Sequence, residues 1–163
     1  MEELRACGAI EPTVVPGGVW FRGNLETLYR ANLQVRTVTR ITRLLRDFAA
    51  IHQQMLYSQV RRVRWEDYLN PQRTFAVFST MEGQNRRHIE SGLNKNRPES
   101  RPPGKRPGIH HSQFASLKIK DAIVDRLRQE QGERPNIDTE NPDIRVDAHF
   151  AKGRCLLCLD SSG

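Results

Sequence analysis

Long apolar runs, a secretion leader and a recognisable catalytic signature are all missing from this 163-residue chain. No stretch approaches the roughly 18–20 apolar residues that cross a bilayer. The opening Met1-Glu-Glu-Leu-Arg lacks the basic-then-apolar order of a leader. The expected compartment is therefore the cytoplasm, with no membrane partner. Cysteine is scarce, and Cys7, Cys155 and Cys158 are too few for a disulfide framework. Cys155 and Cys158 have C-x-x-C spacing, but they sit among Leu156, Leu157 and Leu159, and no second Cys or His pair stands at metal-ligand spacing. They are expected as small apolar residues of a buried strand. Apolar residues make up 37% and aromatics 7%, which allows a modest core in one domain with a small appendage.

The catalytic signatures are absent one by one. There is no G-x-x-x-x-G-K-S/T loop, no strand followed by G-x-G-x-x-G, no G-x-S-x-G and no H-E-x-x-H. His110 and His111 are adjacent, so on a helix or a strand their rings diverge and make a poor metal pair. Asp121 and Asp125 stand at i,i+4, but with Lys118 and Arg128 nearby they are expected to form a solvated salt-bridge face. No catalytic residue, metal site or cofactor site is expected within this chain.

Positive charge is what the chain does have. Its net charge is +7 and its pI about 9.8, which favours polyanionic partners, chiefly nucleic acid. The charge is clustered. Asn85 to Gly108 holds seven Lys/Arg against two Glu, with four prolines and three glycines. That composition cannot bury enough apolar surface to offset its ordering entropy, so 85–108 is expected as a mobile basic loop. Arg30, Arg36, Arg40, Arg43 and Arg46 recur along one segment and Arg61, Arg62 and Arg64 along another, while Arg86, Arg87, Lys105 and Arg106 crowd the loop. Such side chains bind phosphates by releasing condensed counterions, and arginine also stacks on unpaired bases.

Periodicity and turn chemistry predict the elements. Glu2 to Cys7 reads as helix stopped by Gly8, and Ile10 to Val15 with Val19-Trp20-Phe21 as a hairpin around Pro16-Gly17-Gly18. Asn24 caps a helix to about Leu33, with Leu25, Leu28, Tyr29 and Leu33 as its apolar face. The β-branched run through Ile41 and Thr42 favours a strand in the second half of 36–48. A helix over Gln53 to Val63 and a buried strand over Thr74 to Thr80 follow. Ser112 is expected to cap the strongest helix, which ends at Gly132 and buries Ala115, Ile119, Ala122, Ile123 and Leu127. Asp143 to Ala151 and Arg154 to Asp160 form a last hairpin around Lys152-Gly153. This order implies an α+β fold with a mixed sheet flanked by helices.

Several motifs carry a resemblance. Gly17-Gly-Val-Trp-Phe-Arg-Gly-Asn-Leu-Glu-Thr-Leu-Tyr-Arg-Ala-Asn-Leu33, followed by Arg36-Thr-Val-Thr-Arg40, resembles the N-terminal region of bacterial ribosomal-RNA large-subunit guanine-N2 methyltransferases. Ser112-Gln-Phe-Ala and Lys118-Ile-Lys-Asp-Ala-Ile-Val-Asp125 resemble the main helix of their THUMP domain. Arg134-Pro-Asn-Ile-Asp138, Pro142-Asp-Ile-Arg145 and Leu159-Asp-Ser-Ser-Gly163 continue the pattern in order, covering nearly everything but the loop. The resemblance implies a THUMP fold preceded by a truncated ferredoxin-like subdomain, the latter over 1–26 and the THUMP domain over 27–160, with the loop at 85–108. It further implies an S-adenosylmethionine-dependent Rossmann-like catalytic domain, which would begin near Gly163.

The expected function is an RNA-binding module, not itself an enzyme, that positions structured RNA for a catalytic domain in cis or in trans. Ribosomal RNA is the expected ligand. The candidate contacts are Lys118 and Lys120 on the matched helix, Arg36 and Arg40 on the matched segment, and Arg86 and Arg87 at the loop. Lys120 has a competing reading, its stem covering the core edge while its amine reaches water. The alternative function is a protein-interaction subunit that docks on a separately encoded methyltransferase through its C-terminal hairpin.

Overall fold

Residues 1–15, 17–82, 109 and 111–162 are described by the computed structural model. The expected basic loop, with Arg86 and Arg87, lies outside the described residues. The chain divides into a first unit of 1–43 with 160–163 and a second of 44–159.

In the first unit, helix α1 (Glu2–Ala6) leads into strands β1 (Ile10–Val15) and β2 (Gly18–Arg22), which pair antiparallel. The register shifts between Ile10 and Thr13, where Glu11 takes φ 50°, as a bulge that bends the strand. Helix α2 (Leu25–Gln34) starts as the sequence predicts: the Asn24 side-chain oxygen Oδ1 accepts from Thr27 N at 2.9 Å and from Thr27 Oγ1 at 3.1 Å. Its buried face differs from expectation. Thr27 and Ala31 are buried and Leu28 packs against Leu4, Cys7, Ala31 and Ile41, whereas Leu25, Tyr29 and Leu33 are exposed. Small residues at i and i+4 let α2 approach closely, which turns the larger side chains outward.

Gly23 lies against the first turn of α2, since an added Cβ would lie 2.5 Å from Thr27 Cγ2. Thr27 is buried and tied to the cap, so it has no room to give. Gly23→Ala should destabilise the first unit by about 1–3 kcal/mol. Trp20 fluorescence in a Trp65→Phe background would read this as an earlier urea midpoint; an unchanged midpoint would show that Thr27 can shift.

The second unit is built on a sheet of order β3-β6-β5-β4, from β3 (Thr42–Ala49), β4 (Phe75–Met81), β5 (Ile144–Ala151) and β6 (Arg154–Asp160). β4 and β5 are parallel and β5 and β6 antiparallel, so the sheet is mixed and the fold α+β, as expected. The β5–β6 turn has φ 49° at Lys152 and 75° at Gly153, the double positive φ that a two-residue hairpin requires. Helices α3 (Gln53–Arg61) and α4 (Ser112–Gln131) contribute Leu56, Val60, Ala115, Ile119, Ile123 and Leu127 to one core with Phe75, Val146, Ala148 and Leu157. Gly132 closes α4 in the left-handed region at φ 76°. At its other end the cap position is His111, with no side-chain hydrogen bond, and Ser112 is the first helical residue. That corrects the expected cap by one residue.

The two C-terminal thiols part company. In a strand, residues three apart point to opposite faces. Cys155 is therefore buried with Leu157 and Leu159, while Cys158 is half-buried on the other face. Burial, with smaller contributions from Cys158 and Asp47, pushes the Cys155 thiol up to about 12. The strand reading holds for Cys155 and in part for Cys158.

Trp65 opens the 3-10 turn Trp65–Asp67 after α3 and is fully buried, its Nε1 donating to Val60 O at 2.8 Å. The next residue ties the turn to α4: Arg126 Nη2 lies 3.0 Å from Glu66 Oε1 and 3.4 Å from Glu130 Oε1, and Arg64 Nε is 3.7 Å from Glu66. Burial alone would raise the Glu66 carboxyl. The Arg126 hydrogen bond, Glu66's own backbone N–H and the charges of Arg126 and Arg64 outweigh burial and hold it below its usual 4.5.

A depressed carboxyl binds fewer protons folded than unfolded, so its contribution is complete above 4.5 and is lost as pH falls below that value. Glu66→Gln should therefore cost stability at pH 7 and make stability less steep on acidification below about pH 4.5. Urea melts at pH 7, 5 and 3.5 test this; parallel loss in both proteins would remove Glu66 from the account.

Candidate nucleic-acid interface

Helix α4 has two working faces. Its apolar residues recur so that one side is sealed in the core, and the remainder projects beside α3. Lys118, Asp121, Asp125 and Arg128, spaced by three, four and three, fall on one stripe. With Lys120 and Val124 they line a cleft of about 330 Å³.

The other walls come from two places. Tyr57 projects from α3. Arg134 and Ile137 come from the segment after α4, where Phe75 N donates to Asn136 O at 3.1 Å and Asp138 N donates to Phe75 O at 3.2 Å. This short parallel bridge beside β4, with Pro135 buried, fixes the segment that carries Arg134.

Four cationic side chains thus share the cleft with two carboxylates. The carboxylates do not form the expected pairs with Lys118 and Arg128. Asp121 Oδ1 lies 3.6 Å from Lys120 Nζ, and Asp125 accepts from the Tyr57 hydroxyl. Local spacing along α4 does not reveal this partner, because α3 brings Tyr57 to Asp125 across 68 residues of chain. That hydrogen bond, then burial and the Asp125 charge, raise the Tyr57 phenol above its usual 10.0, so it stays a neutral donor. Arg61 lies 5.7 Å from the Tyr57 ring centroid and also donates to Gln129, bracing the α3 wall against α4.

Of the six residues predicted to touch RNA, the cleft unites Lys118 and Lys120. The Lys120 side chain is 31% exposed and lines the cleft. Arg36 and Arg40 belong to the first unit. Arg36 is exposed, while Arg40 Nε lies 3.4 Å from Asp160, whose side chain is buried. Arg86 and Arg87 fall outside the described residues. Tyr57, Arg128 and Arg134 were not predicted as contacts. Arg128 was legible from its helical spacing to Lys118, whereas Tyr57 and Arg134 enter only through tertiary packing.

Among the described residues no helix is long and apolar enough to cross a membrane. Two family comparisons divide the chain. Residues 53–160 match the THUMP domain and residues 1–42 the RlmL ferredoxin-like domain. The chain is 36% identical over 162 residues to a protein of Syntrophotalea carbinolica named ribosomal RNA large subunit methyltransferase K/L, covering 99% of this chain and 20% of that protein. It is 38% identical to the protein of that name from Hydrogenovibrio crunogenus, with 99% and 19% covered. The chain thus spans about a fifth of the length of these relatives. A crystal structure described as a predicted N6-adenine-specific DNA methylase from Listeria monocytogenes superposes with a TM-score of 0.70 at 22% identity, covering 98% of this chain and 36% of that one. That likeness concerns the fold.

Proposed function

From the premise that the chain belongs to the THUMP domain family, we propose that it is the RNA-binding part of a ribosomal-RNA methyltransferase. In this reading it positions structured RNA for an S-adenosylmethionine-dependent domain that modifies guanine N2, and itself makes no bonds. The observation that carries the proposal is the convergence of Lys118, Lys120, Arg128 and Arg134 on one cleft of the matched domain. Fixed cations in a concave site concentrate field and favour phosphate. The relatives' names support ribosomal RNA as the ligand and a methyltransferase domain as the partner.

The positioning role has its own test. The Syntrophotalea carbinolica relative, deleted for its matching segment, is assayed on large-subunit ribosomal RNA with and without this chain fused in its place. Restored methylation at guanine N2 is the expected result. Undiminished methylation by the deleted protein alone would remove the positioning role.

One observation favours a second reading, that of a protein-docking subunit: Leu25, Tyr29 and Leu33 recur at i, i+4 and i+8 on α2 and are 55%, 64% and 83% exposed. Co-purification with a methyltransferase chain, together with no RNA affinity of its own, would establish that reading instead.

A further inference from the structure

Phosphate binding explains the four cations of the cleft and leaves its two carboxylates unexplained. A site built for phosphate alone would be weakened by Asp121 and Asp125, which repel the same group that the lysines and arginines attract. The walls are not purely ionic either, because Val124, Ile137 and the Tyr57 ring add flat and apolar surface. The volume, about 330 Å³, sits at the low end of small-molecule sites. Double-stranded RNA is instead recognised by shape along successive grooves. A cleft of this size, with Asp121 and Asp125 between Lys118 and Arg128 along one helical stripe, offers a base edge and its flanking phosphates separate partners and suits one splayed-out nucleotide.

The carboxylates also say which base. An ionised carboxylate only accepts hydrogen bonds, through two oxygens set side by side. Guanine presents two neighbouring donors on its Watson–Crick edge, N1–H and N2–H. Adenine and cytosine each set one amino group beside an acceptor, and uracil sets its one N–H between two carbonyls. Asp125 already accepts from Tyr57. Asp121 is exposed and meets Lys120 only at 3.6 Å, longer than a hydrogen bond.

We propose that the cleft binds an unpaired guanine nucleotide, with Asp121 accepting from its Watson–Crick edge and Lys118, Arg128 and Arg134 holding its phosphates. The proposal rests on the RNA-binding reading and adds a ligand class to it. Tyr57, fixed by Asp125, bounds the pocket on the α3 side and limits it to a single base.

The test uses the full chain and two RNA hairpins with the same stem, one with guanine and one with uracil at a single unpaired loop position. Wild type should prefer the guanine loop by about tenfold, the scale of a good bidentate base contact. Asp121→Asn then separates base reading from simple charge. Removing a negative charge should tighten both complexes if the cleft only senses phosphate. Base reading requires the guanine complex to weaken about tenfold while the uracil complex does not. Equal wild-type affinities, or a variant that tightens, spares or weakens both complexes alike, would overturn the guanine proposal. Lys118→Glu distinguishes the deeper failure: if it weakens both complexes, the RNA-binding reading stands without the guanine; if wild type binds neither hairpin, both readings fall.

Discussion

Trp65→Ala should lower the unfolding free energy of the second unit by about 3–5 kcal/mol, a large share of the roughly 5–15 kcal/mol of a typical domain. Trp65 is the largest fully buried side chain and belongs to the cluster that joins α3, α4 and the sheet. Truncation leaves a cavity in a cluster that includes the fully buried Leu56, Val60, Phe75, Ile119 and Leu157, so collapse around it is restricted. It also strands the Val60 carbonyl, which accepts from Trp65 Nε1 at the end of α3. Trp65→Phe separates the two effects. It keeps most of the volume and loses the hydrogen bond, so its expected cost is about 1–3 kcal/mol. Far-UV circular dichroism in urea reads both variants. An alanine variant within about 0.5 kcal/mol of wild type would mean that the 3-10 turn is not part of the cooperative core.

Lys118→Glu combined with Arg128→Glu should weaken binding to structured RNA by at least about tenfold at 0.1 M salt, since each reversal removes a phosphate contact and adds a repulsion. Neither side chain is in the core; Lys118 is half-buried and Arg128 exposed. The melt should therefore stay within about 0.5 kcal/mol of wild type. A contrast is available in the first unit. Arg36→Glu alters an exposed residue there, whereas Arg40→Glu would strand Asp160, whose side chain is only 6% exposed. A reduction confined to Arg36→Glu, with the double reversal unaffected, would move the interface from the cleft to the first unit.

Periodicity carried most of the second unit. The buried positions of α4 were legible because Ala115, Ile119, Ala122, Ile123 and Leu127 repeat at helical spacing and alternate with charge. The last hairpin was legible because Lys152-Gly153 demands a tight turn and the flanking strands alternate. On α2 the same rule misled, since size was taken as the mark of burial. There the core takes Thr27 and Ala31 with Leu28 packed beside them, and local spacing does not tell which side of the helix its neighbours cover.

The cleft was half legible for a related reason. Charges on α4 share one stripe by local geometry alone, so Lys118 and Arg128 follow from spacing. Tyr57 and Arg134 reach that stripe through contacts between distant parts of the chain, about which local spacing says nothing. The assumed partners of Asp125 failed on the same ground, because its hydrogen-bond donor lies on another helix. Motif resemblance supplied what periodicity lacked. It placed the strongest helix in a THUMP domain, and residues 53–160 bear that out.

The decisive measurement is the affinity of the full chain for a structured large-subunit ribosomal RNA fragment across a series of salt concentrations. If the four cations of the cleft together displace about four counterions from the RNA backbone, log affinity should fall against log salt with a slope of roughly −3 to −4, and the Lys118→Glu, Arg128→Glu protein should lose about half of that slope. A flat dependence, or no binding at micromolar RNA, would contradict a cationic RNA-positioning module.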